Sequence, residues 1–170
     1  MARGKRIWIV DQGGHTNIPT VRFQTEANVA VGIMGAGMLL KWKANGSPYV
    51  IACVTGDHTI GTDTAMLGLA ANDSTATASA DGVIDVYMPL PGIIYRAYAH
   101  TGANVAATIV GDRVDLDISA TTDAGNWTIN EDAGDTLTNA FCIVGVDTDN
   151  DTVDFIIRSG ATYLGDQDLA

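Results

Sequence analysis

The run DTDNDTVD at 147–154 places Asp147, Asp149 and Asp151 at the first, third and fifth positions of a calcium-binding loop. The rest of that pattern is missing. Thr152 stands where the loop needs glycine, and Arg158 stands where a bidentate glutamate belongs. Apolar stretches flank the run on both sides, which predicts the acidic turn of a hairpin. His15, His58 and His100 are scattered, and none has a second ligand at zinc-like spacing. Asp57 could orient the His58 imidazole, but no nucleophile motif accompanies the pair. GIMGAG (32–37) lacks the preceding strand, the following helix and the lysine that phosphate-binding loops use, so close packing or backbone freedom accounts for it. Cys53 and Cys142 each sit inside an apolar stretch and are expected as buried thiols. The expectation is a protein that is no enzyme, with no catalytic residues, no metal and no cofactor.

Binding residues are easier to nominate. The chain carries 9 basic and 20 acidic side chains, a formal −11, which disfavours nucleic acid as a partner of the whole surface. The charge is unevenly spread: residues 1–43 hold six basic against two acidic side chains, a net of +4, while residues 44–170 hold three against eighteen, a net of −15. An acidic body repels its own copies, and a cationic end steers toward an acidic partner. Arg3, Lys5, Arg6, Trp8, Arg22 and Phe23 are therefore the candidate partner-binding residues, with Trp8 as the apolar anchor because interface energy concentrates in Trp, Tyr and Arg. Trp8 could equally tuck back onto its own barrel. Trp42 and Trp127 leave a sugar-stacking platform open.

These side chains need elements to hold them. Short apolar and period-two segments dominate, broken by Gly, Asn, Asp, Pro and Ser clusters. Strands are predicted at 5–10, 20–25, 38–44, 48–54, 64–70, 82–88, 92–99, 112–119, 126–130, 140–147 and 152–158. In VDLDI, Val114, Leu116 and Ile118 face one way and Asp115 and Asp117 the other, the signature of a half-buried strand. Asn45-Gly46 and Asp81-Gly82 predict tight turns. NDSTATASAD (72–81), with nothing to bury, predicts a mobile loop or hairpin tip, and MPLPG (88–92) a strand end or sheet edge. Asn104 could cap one short helix ending at Gly111. The fold class is all-β: a small antiparallel β-barrel or sandwich with an extended N-terminal arm and at most one short helix. The arm is placed at 1–37 and the barrel at 38–170. No leader is predicted, because the apolar run Ile7 to Val10 ends at Asp11, and no segment approaches the roughly 20 apolar residues of a spanning helix. The protein is accordingly expected to be made in a cytoplasm, without a membrane partner.

Residues 66–99 (MLGLAANDSTATASADGVIDVYMPLPGIIYRAYA), followed by GDRVDLDIS, NWTIN and FCIVGVDTDNDTVDFIIRSG, resemble the small β-barrel proteins encoded in tailed-bacteriophage virion gene clusters. The group in question is the capsid decoration, or cement, proteins. The resemblance covers about residues 38–160 and is one of pattern. It implies a virion protein on the outer capsid surface, bound to the major capsid protein, self-associated as a homotrimer, with the arm reaching capsid subunits or neighbouring copies. The other expectations are a tail, neck or fibre-associated virion component and a carbohydrate-binding module.

Overall fold

A computed structural model describes residues 5–27, 34–43, 47–54, 66–101, 105–119, 125–131, 137 and 139–162. Arg3, Asn45-Gly46, Asp57-His58 and Asn104 lie outside them. The strands run in chain order as β1 (Trp8–Asp11), β2 (Thr20–Thr25), β3 (Leu39–Trp42), β4 (Val50–Ala52), β5 (Met66–Ala70), β6 (Gly82–Tyr87), β7 (Ile94–Ala99), β8 (Arg113–Ile118), β9 (Trp127–Asn130), β10 (Phe141–Asp147) and β11 (Thr152–Ile157). Each overlaps a stretch predicted to be a strand, most by alternation and some, such as Met66–Ala70, as short apolar runs buried throughout. The helical expectation near 105–111 reduces to a 3-10 turn at Ala107–Ile109, in keeping with its β-branched content.

The fold is all-β, a closed five-stranded barrel with a second sheet. The barrel order is β7-β11-β10-β8-β9, and it closes where β9 returns to β7. That closing seam is parallel and two residue pairs long, Tyr98 with Thr128 and Ala99 with Ile129; the other junctions are antiparallel. Alternation fills the interior. Tyr95 and Ala97 of β7, Val114 and Leu116 of β8, and Val153 and Phe155 of β11 are buried, while the residues between the members of each pair are half-exposed.

Sheet two runs β2-β6-β5-β3-β4. It curls until Gln24 of β2 meets Tyr49, just ahead of β4. A Lys43–Glu26 ion pair clasps this gap, and the Tyr49 hydroxyl donates to Asp81 at 2.6 Å. MPLPG ends β6 and carries the chain across to β7, with its prolines outside both ladders. One apolar core joins the two sheets.

The N-terminal stretch is extended, as two strands, and both lie on the body of their own chain. β1 pairs with β7 and β2 with β6. β7 shares one edge between two neighbours: Ile94, Tyr95 and Arg96 pair with β1, while Tyr98 and Ala99 pair with β9. β1 thus completes the half of the seam that β9 leaves uncovered, and Ile7 just before it is 2% exposed within the core.

Two loop expectations need correction. Asp81-Gly82 is no tight turn, because Gly82 opens β6, where a Cβ would lie 2.0 Å from the Ala76 nitrogen. Of the two expectations for 72–81 the hairpin connection holds, since β5 and β6 pair antiparallel across it, and the loop with nothing to bury does not: Ser74 N donates to Met34 O at 3.0 Å, Thr75 N to Val83 O at 3.0 Å, and Ala76 is buried. Gly37 anchors β1 from the other direction. It has φ +82 and would bring a Cβ to 2.6 Å from Ile7 O. Gly37→Ala is expected to cost about 2–3 kcal/mol through strain and the pushed-off Ile7 carbonyl. A urea midpoint equal to that of the wild type would show that this contact does not hold the N-terminus.

Candidate functional site

The nominated residues divide between the two sheets. Lys5, Arg6 and Trp8 belong to the barrel wall. Trp8 stands opposite Arg96, so its side chain shares the outer face with Arg96 and, two residues on, with Tyr98. The Trp8 and Tyr98 rings meet edge-on, 5.7 Å between centroids at 62°. Lys5 Nζ lies 4.8 Å from the Tyr98 centroid, a cation–π distance. Arg96 forks onto Asp154 through Nε at 2.5 Å and Nη2 at 2.8 Å; that hydrogen bond, with weaker attraction from Asp154 and Asp147, raises the guanidinium pKa further. Lys5, Tyr98, Trp8 and Arg96 make one continuous aromatic and cationic surface. Trp8 keeps 37% of its area exposed.

Arg22 and Phe23 sit on β2, at the edge of the other sheet. Arg22 forks onto Asp85 at 2.8 and 3.2 Å, and this bond, joined by the Asn72 amide at 2.7 Å, holds the Asp85 carboxyl below its ordinary range. Phe23 meets Trp42 edge-on, centroids 5.4 Å apart at 85°. Arg6 donates to Gly125 O at 2.6 Å. Several N-terminal cations thus find partners inside the chain, which leaves shape and aromatic surface as the stronger contributors to any docking.

The motif residues serve local structure. Asp147 accepts from the Asn150 side-chain amide at 2.9 Å and from the Asp149 and Asn150 main chain at 3.1 and 3.2 Å. These bonds, led by the Asn150 amide, lower its pKa and close the β10–β11 hairpin turn. Among the described residues no group of three His, Cys, Asp or Glu is arranged to hold a metal ion. His15 Nε2 lies 3.1 Å from Pro91 O, and His100 Nδ1 pairs with Asp117. Cys53 is buried, but Cys142 is only half-buried, because β10 turns it away from the core side occupied by Phe141 and Ile143; neither is in a disulfide. Trp127 is buried in the barrel and offers no platform.

Sequence reasoning missed Arg96 and Tyr98 as members of the surface around Trp8. Their spacing in IYRAYA signals a common face. The pairing of β7 with β1, about ninety positions upstream, has no local signal. Comparison with protein families, with curated proteins and with solved structures gave no match for this chain.

Proposed function

We propose that this chain is a non-catalytic structural protein of a tailed-bacteriophage virion: a decoration protein on the outer face of the head, bound to the major capsid protein and to its own copies as a homotrimer. The phage assignment rests on the resemblance of about residues 38–160. The observation that supports attachment is the Trp8 ring, 37% exposed and framed by Lys5 and the half-buried Tyr98 and Arg96, since Trp, Tyr and Arg carry most interface energy. The N-terminal residues contribute to that attachment from their place in the barrel wall. Arg22 and Phe23 offer a second contact, toward a neighbouring copy. On a lattice, weak single contacts add up, because each attachment raises the effective concentration for the next.

Co-sedimentation with capsids tests the reading. Deleting residues 1–25 would remove Ile7 from the core, so a point change is the cleaner probe. Trp8→Ala is expected to weaken capsid association at least tenfold, the ordinary loss for an interface anchor, with the thermal midpoint little changed. Equal co-sedimentation of wild type and variant would remove this face from the interface. Failure of the wild type to bind capsids would overturn the assignment, and a copy number far below that of the major capsid protein would favour a tail or neck component.

A further inference from the structure

Residues 5–9 fill a fork in the barrel wall. Among the described residues β7 and β9 pair only where Tyr98 and Ala99 meet Thr128 and Ile129, and toward their earlier residues that pairing stops. The N-terminal stretch bonds to both sides of the gap. Trp8 and Ile9 pair with Arg96 and Tyr95 of β7, while Lys5 O accepts from Trp127 N at 3.0 Å and Lys5 N donates to the Asn126 side chain at 2.9 Å. Between these contacts lies Ile7, 2% exposed and part of the apolar core, whose N donates to Gly37 O at 3.2 Å. The wall is incomplete without this plug. A copy with residues 5–9 swung away would bare a core side chain and part of the edge of β7 together.

We propose that copies of this chain associate by exchanging the plug: residues 5–9 of each copy fill the fork of a neighbour, and those of another copy fill the fork left behind. The inference rests on the proposed self-association and names its interface. The occupant is the sequence already seated in the fork, since every bond between plug and body can be remade between two copies. The buried Ile7 makes the exchange reciprocal. A donor with an empty fork keeps the cost of the bared core, whereas head-to-tail giving and taking around a closed ring leaves no fork empty. Charge acts in the same direction, because residues 1–43 carry a net +4 and residues 44–170 a net −15, so the plug of one copy is drawn to the body of the next. The segment that must re-route is the connection at 12–19, which holds two glycines in the left-handed region, Gly13 at φ +63 and Gly14 at φ +81. It touches the body through the His15 ring at Pro91 O, 3.1 Å away, and through the close pass of Gly13 over Gly92. In the exchanged form the aromatic face is composite, with Lys5 and Trp8 from one copy and Tyr98 and Arg96 from the next.

Two full-length chains, one carrying Trp8→Cys and the other Arg96→Cys, test this when unfolded in urea, refolded as a mixture and oxidised. Positions 8 and 96 face each other across paired strands, within reach of a disulfide. Exchange predicts a disulfide between the two chains at least tenfold more abundant than that between Trp8→Cys and Val110→Cys, an exposed position on the loop before β8. Each variant refolded alone sets the background from Cys53 and Cys142. A second variant needs no added cysteine: deleting residues 13–15 shortens the connection and hinders folding back, and should raise the fraction of discrete oligomer in light scattering at least threefold at equal concentration. Should the cysteine variants misfold, the deletion decides alone. An oligomer with no excess of the mixed disulfide, unmoved by the deletion, would overturn the exchange and leave self-association standing. A monomer at every concentration would overturn both, while attachment to capsids is judged apart from either by co-sedimentation.

Discussion

Phe155→Ala is expected to remove about 4 kcal/mol of folding stability, the cost of a fully buried phenylalanine and the cavity left behind. Phe155 is fully buried in β11, between β10 and β7. Its ring stacks on Tyr95, centroids 5.7 Å apart at 25°, and meets Phe141 edge-on at 5.3 Å and 90°. Three strands therefore lose a common contact at once. Tyr95 is sensitive to the consequences, because its buried hydroxyl has no hydrogen-bond partner among the described residues and its ring is also the cross-strand neighbour of Ile9 in β1. Burial already pushes the Tyr95 phenol well above its ordinary range. Against a total of roughly 5–15 kcal/mol, the loss should lower the thermal midpoint by roughly 10 °C and shift the urea midpoint with its slope unchanged. Phe155→Leu, which keeps most of the volume, should cost well under half as much. A loss below about 1 kcal/mol for the alanine variant would mean that the barrel interior is not packed around this ring.

The strands were legible because each carries its own instruction. RVDLDI alternates, and Val114, Leu116 and Ile118 are buried as alternation demands. Partnership was not legible, because alternation names the face of a strand and never its neighbour. Lys5 to Val10 read as a free arm since nothing nearby pairs with them; Trp8 and Ile9 find β7 about ninety positions on, and Lys5 bonds to Asn126 and Trp127 farther still. The cations misled for the same reason. Arg22 looks unbalanced in its own segment and finds Asp85 only when β2 meets β6. Asp81-Gly82 has the composition of a turn, but Gly82 is glycine because the Ala76 backbone passes so close, and a dipeptide carries no trace of that contact. The surface around Trp8 was half visible for this reason: its anchor and cations were named from the sequence, whereas Arg96 and Tyr98 join only through the fold.

The parallel seam between β7 and β9 is, with the β8–β10 junction, one of the barrel's two shortest, and Glu131 bridges it. Glu131 is 7% exposed and follows β9 directly. Its carboxylate accepts from His100 N at 2.8 Å, Thr101 N at 3.0 Å and the Thr101 hydroxyl at 2.7 Å, all just past the end of β7. A ladder of two residue pairs is thereby extended by a side chain acting as a further strand rung. Burial alone would raise the pKa of this carboxyl, but the bonds from the Thr101 hydroxyl and the Thr101 and His100 main chain outweigh burial and hold it below its usual 4.5. A folded-state pKa below the unfolded value makes the carboxylate stabilising at neutral pH. That contribution is present above about pH 4.5 and is lost as pH falls through the lowered folded value. Glu131→Ala should cost about 2 kcal/mol at pH 7, because the Thr101 main chain and hydroxyl lose this acceptor in a largely closed site, while His100 N keeps Ile129 O at 2.7 Å. Glu131→Gln separates charge from shape. It keeps one acceptor oxygen, should cost less at pH 7, and should flatten the acid limb of the stability curve below pH 4.5. Exchange should quicken first at His100 and Thr101 in either variant, marking the seam as the place that opens. An acid limb as steep in Glu131→Gln as in the wild type would assign the acid sensitivity to other carboxylates and leave Glu131 a bond acceptor without a titrating role.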